Sequence, residues 1–287
     1  KKPGQFILSG SVRFSSRRAI RESLTGRIMT LELLPLVQTE LERLPLGDSA
    51  LRIAAAKDLA GLVETIFVSA AEARRRDKSL GDYLECGGLP GVCFIRDARL
   101  RSDKIREQLA TILDRDLRLV YPTSLTLREV EGYLRALAIE EGEPVRWTRL
   151  RAKTGMSEAT QKKVLQALEA VFLVRVLPLE GDRKGLVTVF EDQAEVAYLN
   201  QGGLGLTKQF AHLVYRNLRA QFAYRSGVDA SHFQYRTRAG VVVPVAFRLP
   251  GCELGIVACE ESVPARRDIF AAQSFIRAYG TGKCILV

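Results

Sequence analysis

The stretch that most constrains this chain is residues 124–199, where apolar periodicity and turn chemistry change in a fixed order. Leu127, Val130, Leu134 and Leu137 repeat at helical spacing, and Glu140-Glu-Gly-Glu-Pro144 interrupts them. A short helix follows over residues 145–153, with Trp147 and Leu150 turned inward. Thr154-Gly155-Met156 reads as a tight turn, and Ser157 has the side-chain oxygen that a helix N-cap needs. The next helix carries Val164, Leu165, Leu168, Val171 and Phe172 on its apolar side. Residues 173–179 and 186–190 then read as two strands around a polar loop at 180–185. Helix, helix, turn, helix, hairpin is the order of a winged helix-turn-helix.

Before this unit, residues 6–8 and 28–33 read as strands. Residues 49–76 form an Ala-rich helix closing on Arg74-Arg75-Arg76. Residues 104–120 form an amphipathic helix with Ile105, Leu109, Ile112, Leu113, Leu117 and Val120 on one face. Between them, Gly87-Gly88 ahead of Leu89-Pro90 predicts an ordered loop. After the unit, a helix at 206–224, strands at 233–235, 241–249 and 253–259, a helix at 265–279 and a strand at 284–287 make a small α/β unit. Tyr121-Pro122 and the glycine-rich residues 200–205 mark boundaries. The expectation is an α/β multidomain chain divided at 1–47, 48–121, 122–200 and 201–287. The apolar strand at 6–8 has no earlier strand to pair with, so a segment upstream of Lys1 is expected.

Charge narrows the partners. The 287 residues carry 43 Lys and Arg against 33 Asp and Glu, a formal +10 that admits polyanions. Arg146, Arg149, Arg151, Lys153, Lys162, Lys163 and Arg175 fall in the helix-turn-helix, against Glu158 and Glu169. In a DNA-binding module of this kind the second helix enters the major groove by its N-terminal residues. The candidate nucleic-acid-binding residues are therefore Arg149, Lys153, Ser157, Thr160, Lys162 and Lys163, with Arg183 and Lys184 in the wing, and duplex DNA is the candidate partner. A winged helix that serves protein contacts alone is the competing reading, and Glu140, Glu141 and Glu143 weaken the field nearby. No apolar run approaches ~18 residues, so no membrane span is expected. No signal-peptide core follows Lys1-Lys2. The five cysteines contain no Cys-x-x-Cys and there are two histidines, which argues against zinc and for free thiols in a cytoplasmic protein. Gly280-Thr-Gly-Lys283 is a turn and not a phosphate loop, because Arg277 stands where the first glycine belongs and a strand follows. His212 and His232 sit in no hydrolase motif.

Several spaced motifs carry a resemblance. Phe6-Ile-Leu-Ser-Gly-Ser11, Glu22-Ser-Leu-Thr-Gly-Arg27 and Leu31-Glu-Leu-Leu-Pro-Leu36 are joined by Tyr83-Leu-x-x-Gly-Gly-x-Pro90 and Ile112-Leu-x-Arg-Asp116. Gly155-Met-Ser157 and Phe172-Leu-Val-Arg-x-Leu-Pro178 complete the set. Together they resemble prokaryotic AAA+-type ATPases with a C-terminal DUF4143 region. The resemblance implies the trailing part of an AAA+ core at 1–47, a helical lid at 48–121, the winged helix at 122–200 and a restriction-endonuclease-like α/β domain at 201–287. It implies that Ser9 or Ser11 senses the nucleotide γ-phosphate and that Arg27 is an arginine finger or sensor, reaching a neighbour's nucleotide in a homo-oligomer. The family's Walker A and B motifs would lie upstream of Lys1, so ATP and Mg²⁺ would belong to the complete protein. In the nuclease-like part, Pro244 stands where an aspartate is expected, and Val257 and Cys259 where a glutamate and a lysine are expected. Glu253 and Glu260 lie at strand ends and rescue neither position, so a shell without metal or nuclease chemistry is expected. The resulting expectation is the catalytically silent C-terminal portion of an ATP-binding protein that couples ATP hydrolysis to a nucleic-acid or protein partner. The alternative is a winged-helix DNA-binding regulator without enzyme activity.

Overall fold

The computed structural model describes residues 6–13, 29–56, 70–182, 184–201, 203–224, 230–259, 261 and 263–287, with backbone alone at 70–75. Two short helices, α1 (Gln38–Leu41) and α2 (Ser49–Ala55), precede α3 (Ala70–Cys86). The next helix, α4 (Ala98–Thr111), begins at 98 and not at 104, because Asp97 accepts the Leu100 N–H at 2.8 Å and caps it. It passes into a π turn (Ile112–Asp116) and closes as α5 (Leu117–Val120). The wider turn keeps Ile105, Leu109, Leu113 and Leu117 all buried along one side.

The central helices form as their local chemistry dictates. A capping box between Thr126 and Glu129 starts α6 (Leu127–Ile139). Gly155 ends α7 (Trp147–Thr154) in the left-handed region at φ 73°, where a side chain would be strained. Ser157 then caps α8 (Glu158–Ala170) by accepting the Thr160 N–H at 3.2 Å. Leu134, Leu137, Leu150, Val164 and Leu168 pack between these helices in one core. The hairpin β1 (Val174–Gly181) and β2 (Gly185–Phe190) follows, then the short helix α9 (Gln193–Leu199).

The remaining elements are α10 (Leu206–Ala223), β3 (Ser231–Arg236), β4 (Val242–Leu249), β5 (Cys252–Val257), α11 (Arg266–Tyr279) and β6 (Lys283–Leu286). The protein is thus mixed α/β, with a six-stranded sheet in the order β2-β1-β3-β4-β5-β6. β1–β2, β3–β4 and β4–β5 are antiparallel, while β1–β3 and β5–β6 are parallel. The sheet runs without a break across residue 200, since Leu179, Glu180 and Gly181 pair with Gln234, Tyr235 and Arg236. One sheet face packs Val245, Phe247 and Leu254 against Tyr215 and Phe222 of α10 and Ala50 of α2. The other packs Phe233 and Val243 against Ala271 and Phe275 of α11. The edge strand β2 is covered in part by the 142–145 loop, where the Gly142 and Val145 N–H groups donate to Thr188 and Leu186. No helix among the described residues is long and apolar enough to cross a membrane.

Two expected strands are absent. Residues 6–8 and 29–33 are irregular, and Phe6, Ile7, Leu8, Met29, Leu31 and Leu33 are exposed; residue 28 lies outside the described residues. An alternating apolar run becomes a strand when a neighbour takes its backbone hydrogen bonds, and none of the described strands does so. The expected helix at 49–76 stops at Ala55, and α3 carries on past the arginine run to Cys86.

The Gly87-Gly88 loop is built by close approach. The Gly88 N–H donates to Asp192 Oδ2 at 2.6 Å, and the Leu36 N–H donates to Gly88 O at 2.8 Å. A Cβ on Gly87 would lie 2.0 Å from Asp192 Oδ1, and one on Gly88 1.9 Å from Leu36 O. A Cβ on Gly91 would meet nothing within 4 Å. Gly87→Ala and Gly88→Ala are expected to lose roughly 2 kcal/mol or more in urea denaturation, while Gly91→Ala stays within about 0.5 kcal/mol of the parent.

Candidate functional site

The candidate nucleic-acid interface is the exposed side of α7 and α8. Its positive charge is partly spent inside the protein. Arg149 Nε and Lys153 Nζ both reach Glu140 Oε1, each at 2.9 Å. Lys162 Nζ pairs with Glu158 at 2.6 Å and lies 5.5 Å from the centre of the Trp147 ring. The Ser157 and Thr160 hydroxyls are 2.9 Å apart and bond each other at the start of α8. Lys163, Arg146 and Arg151 are exposed and have no charged partner among the described residues.

The other candidate residues do not join them in one place. Arg27 and Arg183 lie outside the described residues. Ser9 and Ser11 are exposed in irregular chain. Lys184 is exposed at the hairpin tip, where its charge lowers the Glu180 pKa after the larger effect of Arg248. The tip itself is tied to the β3–β4 turn, since Asp182 Oδ2 accepts the Arg238 N–H at 3.3 Å. In the C-terminal part, Pro244 sits on β4, Val257 is buried at the end of β5, and Cys259 is half-buried beyond it; Glu260 lies outside the described residues. No group of three His, Cys, Asp or Glu among the described residues could hold a metal ion. Lys283, at the end of the Gly-Thr-Gly-Lys turn, donates to the carbonyls of Ile53, Ala54 and Ala56 at 2.5–3.1 Å. It closes the C-terminus of α2.

The fold also brings together a buried ionic hub that none of the sequence motifs marks. It lies where β2 ends and α9 begins, at Glu191-Asp192-Gln193, facing Arg216 and Arg219 of α10. Arg219 and Arg175 donate to Glu191, and Arg13 Nη2 is 3.9 Å from it. Arg216 donates to the Glu191 and Phe190 carbonyls at 3.0 and 2.9 Å and to Gln193 at 3.3 Å. Glu141, fully buried, accepts the Phe190 N–H at 2.9 Å and lies 3.2 Å from His212 Nδ1, poorly aligned for a hydrogen bond. Burial opposes ionisation of Glu191, but Arg219, Arg175 and Arg13 outweigh it and hold its pKa below the usual carboxylate range. Glu195 is the reverse case. Burial, and then the charges of Asp192 and Glu191, push its carboxyl well above that range, and its Oε2 has no partner among the described residues.

Residues 77–183 match the family model of a domain of unknown function (DUF8612). The match takes in the Gly87-Gly88 loop, α4 to α8 and β1. No curated protein and no solved structure matches the chain.

Two weaker signals for the hub do stand in the sequence. Three carboxylates fall within Glu191–Glu195 directly after an apolar strand, and Arg216 and Arg219 share the buried side of α10 with His212, Tyr215 and Phe222. Charges on the inward stripe of a helix need partners, because an unpaired buried charge is costly. Glu191→Gln is expected to destabilise the protein by about 3–5 kcal/mol near neutral pH, as it leaves the Arg13, Arg175 and Arg219 guanidinium groups with the Glu32 carboxylate alone. Because the folded pKa of Glu191 is depressed, its contribution is present above pH ~4.3 and is lost as pH falls through the folded value. Glu195→Gln should cost less than about 1 kcal/mol and should remove the fall in stability that its raised pKa imposes as pH rises above ~4.3. Urea denaturation of both variants from about pH 4 to about pH 8 checks the contrast.

Proposed function

We propose that this chain is the partner-binding, catalytically silent C-terminal portion of an AAA+-type ATP-binding protein. In this reading α6, α7, α8 and the β1–β2 hairpin act as a winged helix-turn-helix that grips duplex DNA through its phosphates. The observation that supports it is the α7–Gly155–Ser157–α8 turn, beside which Lys163, Arg146 and Arg151 stand exposed and without a charged partner among the described residues. Groups of this kind attract a polyanion at no cost to internal pairs. In the same reading, α10, β3, β4, β5, α11 and β6 are taken as a degenerate nuclease-like domain. Pro244, Val257 and Cys259 give its metal positions no oxygen ligand set, so no cleavage step is assigned to it.

The described residues do not fit a nucleotide triphosphate. Ser9 and Ser11 face solvent, and Lys283 is committed to the α2 carbonyls. In this reading ATP and Mg²⁺ are assigned to the complete protein, and the chemistry of these residues does not pass through them.

Fluorescence anisotropy of a labelled duplex tests the interface. Affinity should fall steeply between about 50 and 200 mM salt, whatever the sequence of the duplex. Lys163→Glu should weaken binding and lower the salt slope by about 1. Lys162→Glu should do less, because Lys162 is already paired with Glu158. Salt-insensitive binding, or a Lys163→Glu variant that binds as the parent does, would count against α8 as the contact helix.

A further inference from the structure

Glu32 lies on an irregular strap, residues 29–33, whose Met29, Leu31 and Leu33 side chains are exposed. Its carboxylate is nonetheless held by three guanidinium groups from three separate parts of the chain. Arg13 donates from Nη1 and Nη2 at 3.0 and 3.3 Å, Arg219 of α10 donates at 2.6 Å, and Arg175 of β1 also donates. The next ties on the strap's C-terminal side are the Leu34 N–H to the Tyr224 hydroxyl and the Leu36 N–H to Gly88 O, each at 2.8 Å.

The three arginines are positioned without Glu32. Arg13 Nε donates to Glu169 O at 3.0 Å and its guanidinium stacks 4.7 Å from the Phe172 ring centre. Arg175 and Arg219 are both anchored on Glu191. Without the Glu32 carboxylate, Glu191 alone would face three guanidinium charges, an excess of two that matches a phosphate dianion. A cavity of about 10 Å³ lies beside this cluster, lined by Leu34, Pro35, Glu191, Arg216 and Arg219. Forked guanidinium donors bind carboxylate and phosphate oxygens with the same geometry.

We propose that Arg13, Arg175 and Arg219 form an anion site that the protein fills with its own Glu32. A phosphate dianion competes with Glu32 for this site and, on binding, frees residues 29–33. The site is distinct from the α7–α8 surface and stands whether or not that surface binds DNA.

Hydrogen exchange of the parent protein tests this with inorganic phosphate against chloride at matched ionic strength. Phosphate should speed exchange of the Leu34 amide, which the Tyr224 hydroxyl holds at the end of the strap, and chloride should not. Calorimetric titration of Glu32→Gln should show phosphate binding at least about tenfold tighter than in the parent, since the internal competitor has lost its charge. Adding Arg175→Ala to Glu32→Gln should abolish the gain. A strap indifferent to phosphate together with no gain in Glu32→Gln overturns the proposal, as does a response that chloride reproduces or that survives Arg175→Ala. Should Glu32→Gln fail to fold, the exchange result on the parent decides.

Discussion

A buried carboxylate at the end of a strand organises this protein. Glu191 closes β2, and removing its charge from water is tolerable because guanidinium groups reach it from residues 175 and 219, with a third at residue 13. Its own carbonyl and that of Phe190 are taken by Arg216. The next residue, Asp192, accepts the N–H groups of Gly88 and Ala194. Two adjacent acids at one strand–helix junction thus tie together the N-terminal strap, the glycine loop, the hairpin and α10. Pairing of this kind is directional, so it sets how these elements meet in a way that apolar contact alone would not.

The same economy of charge governs the surface. A formal +10 suggests a broadly cationic molecule, yet Arg149, Lys153 and Lys162 are engaged by Glu140 and Glu158. On and beside α7 and α8, what remains for an outside anion among the described residues is the smaller set of Arg146, Arg151 and Lys163. The hairpin that follows is no free arm, because its first strand is an interior strand of the six-stranded sheet and its tip is bonded to the β3–β4 turn. Any partner that meets the α8 surface therefore meets a unit mechanically continuous with the C-terminal sheet.

Legibility in the sequence follows the range of the interactions involved. Ser157, Gly155 and the apolar stripe of α8 act within one or two turns and make its start legible, though the helix ends at Ala170 and leaves Val171 and Phe172 beyond it, Phe172 at φ 60°. The strands β3, β4 and β5 are legible as apolar runs between turns, though β3 extends further at both ends than its apolar run. Helix α9 escapes pattern reading because Gln193 and Glu195 look solvated, and only the hub around them makes their burial intelligible. Residues 6–8 and 29–33 have strand-like composition, but composition does not supply the neighbouring strand. The hub is hardest of all, since Glu32 and Arg219 are 187 positions apart.

By itself, then, the sequence determined the helices and turn from α6 to α8 and the hairpin after them, because caps, left-handed glycines and apolar spacing act on neighbouring residues. It also determined a positive balance of charge. Tertiary structure alone decided which charges remain on the surface and which are consumed inside, and that one sheet spans the hairpin and the C-terminal strands. The physical reason is that an ion pair or a β ladder is satisfied by whichever group the folded chain delivers, and delivery over a hundred residues or more leaves no mark on the local pattern.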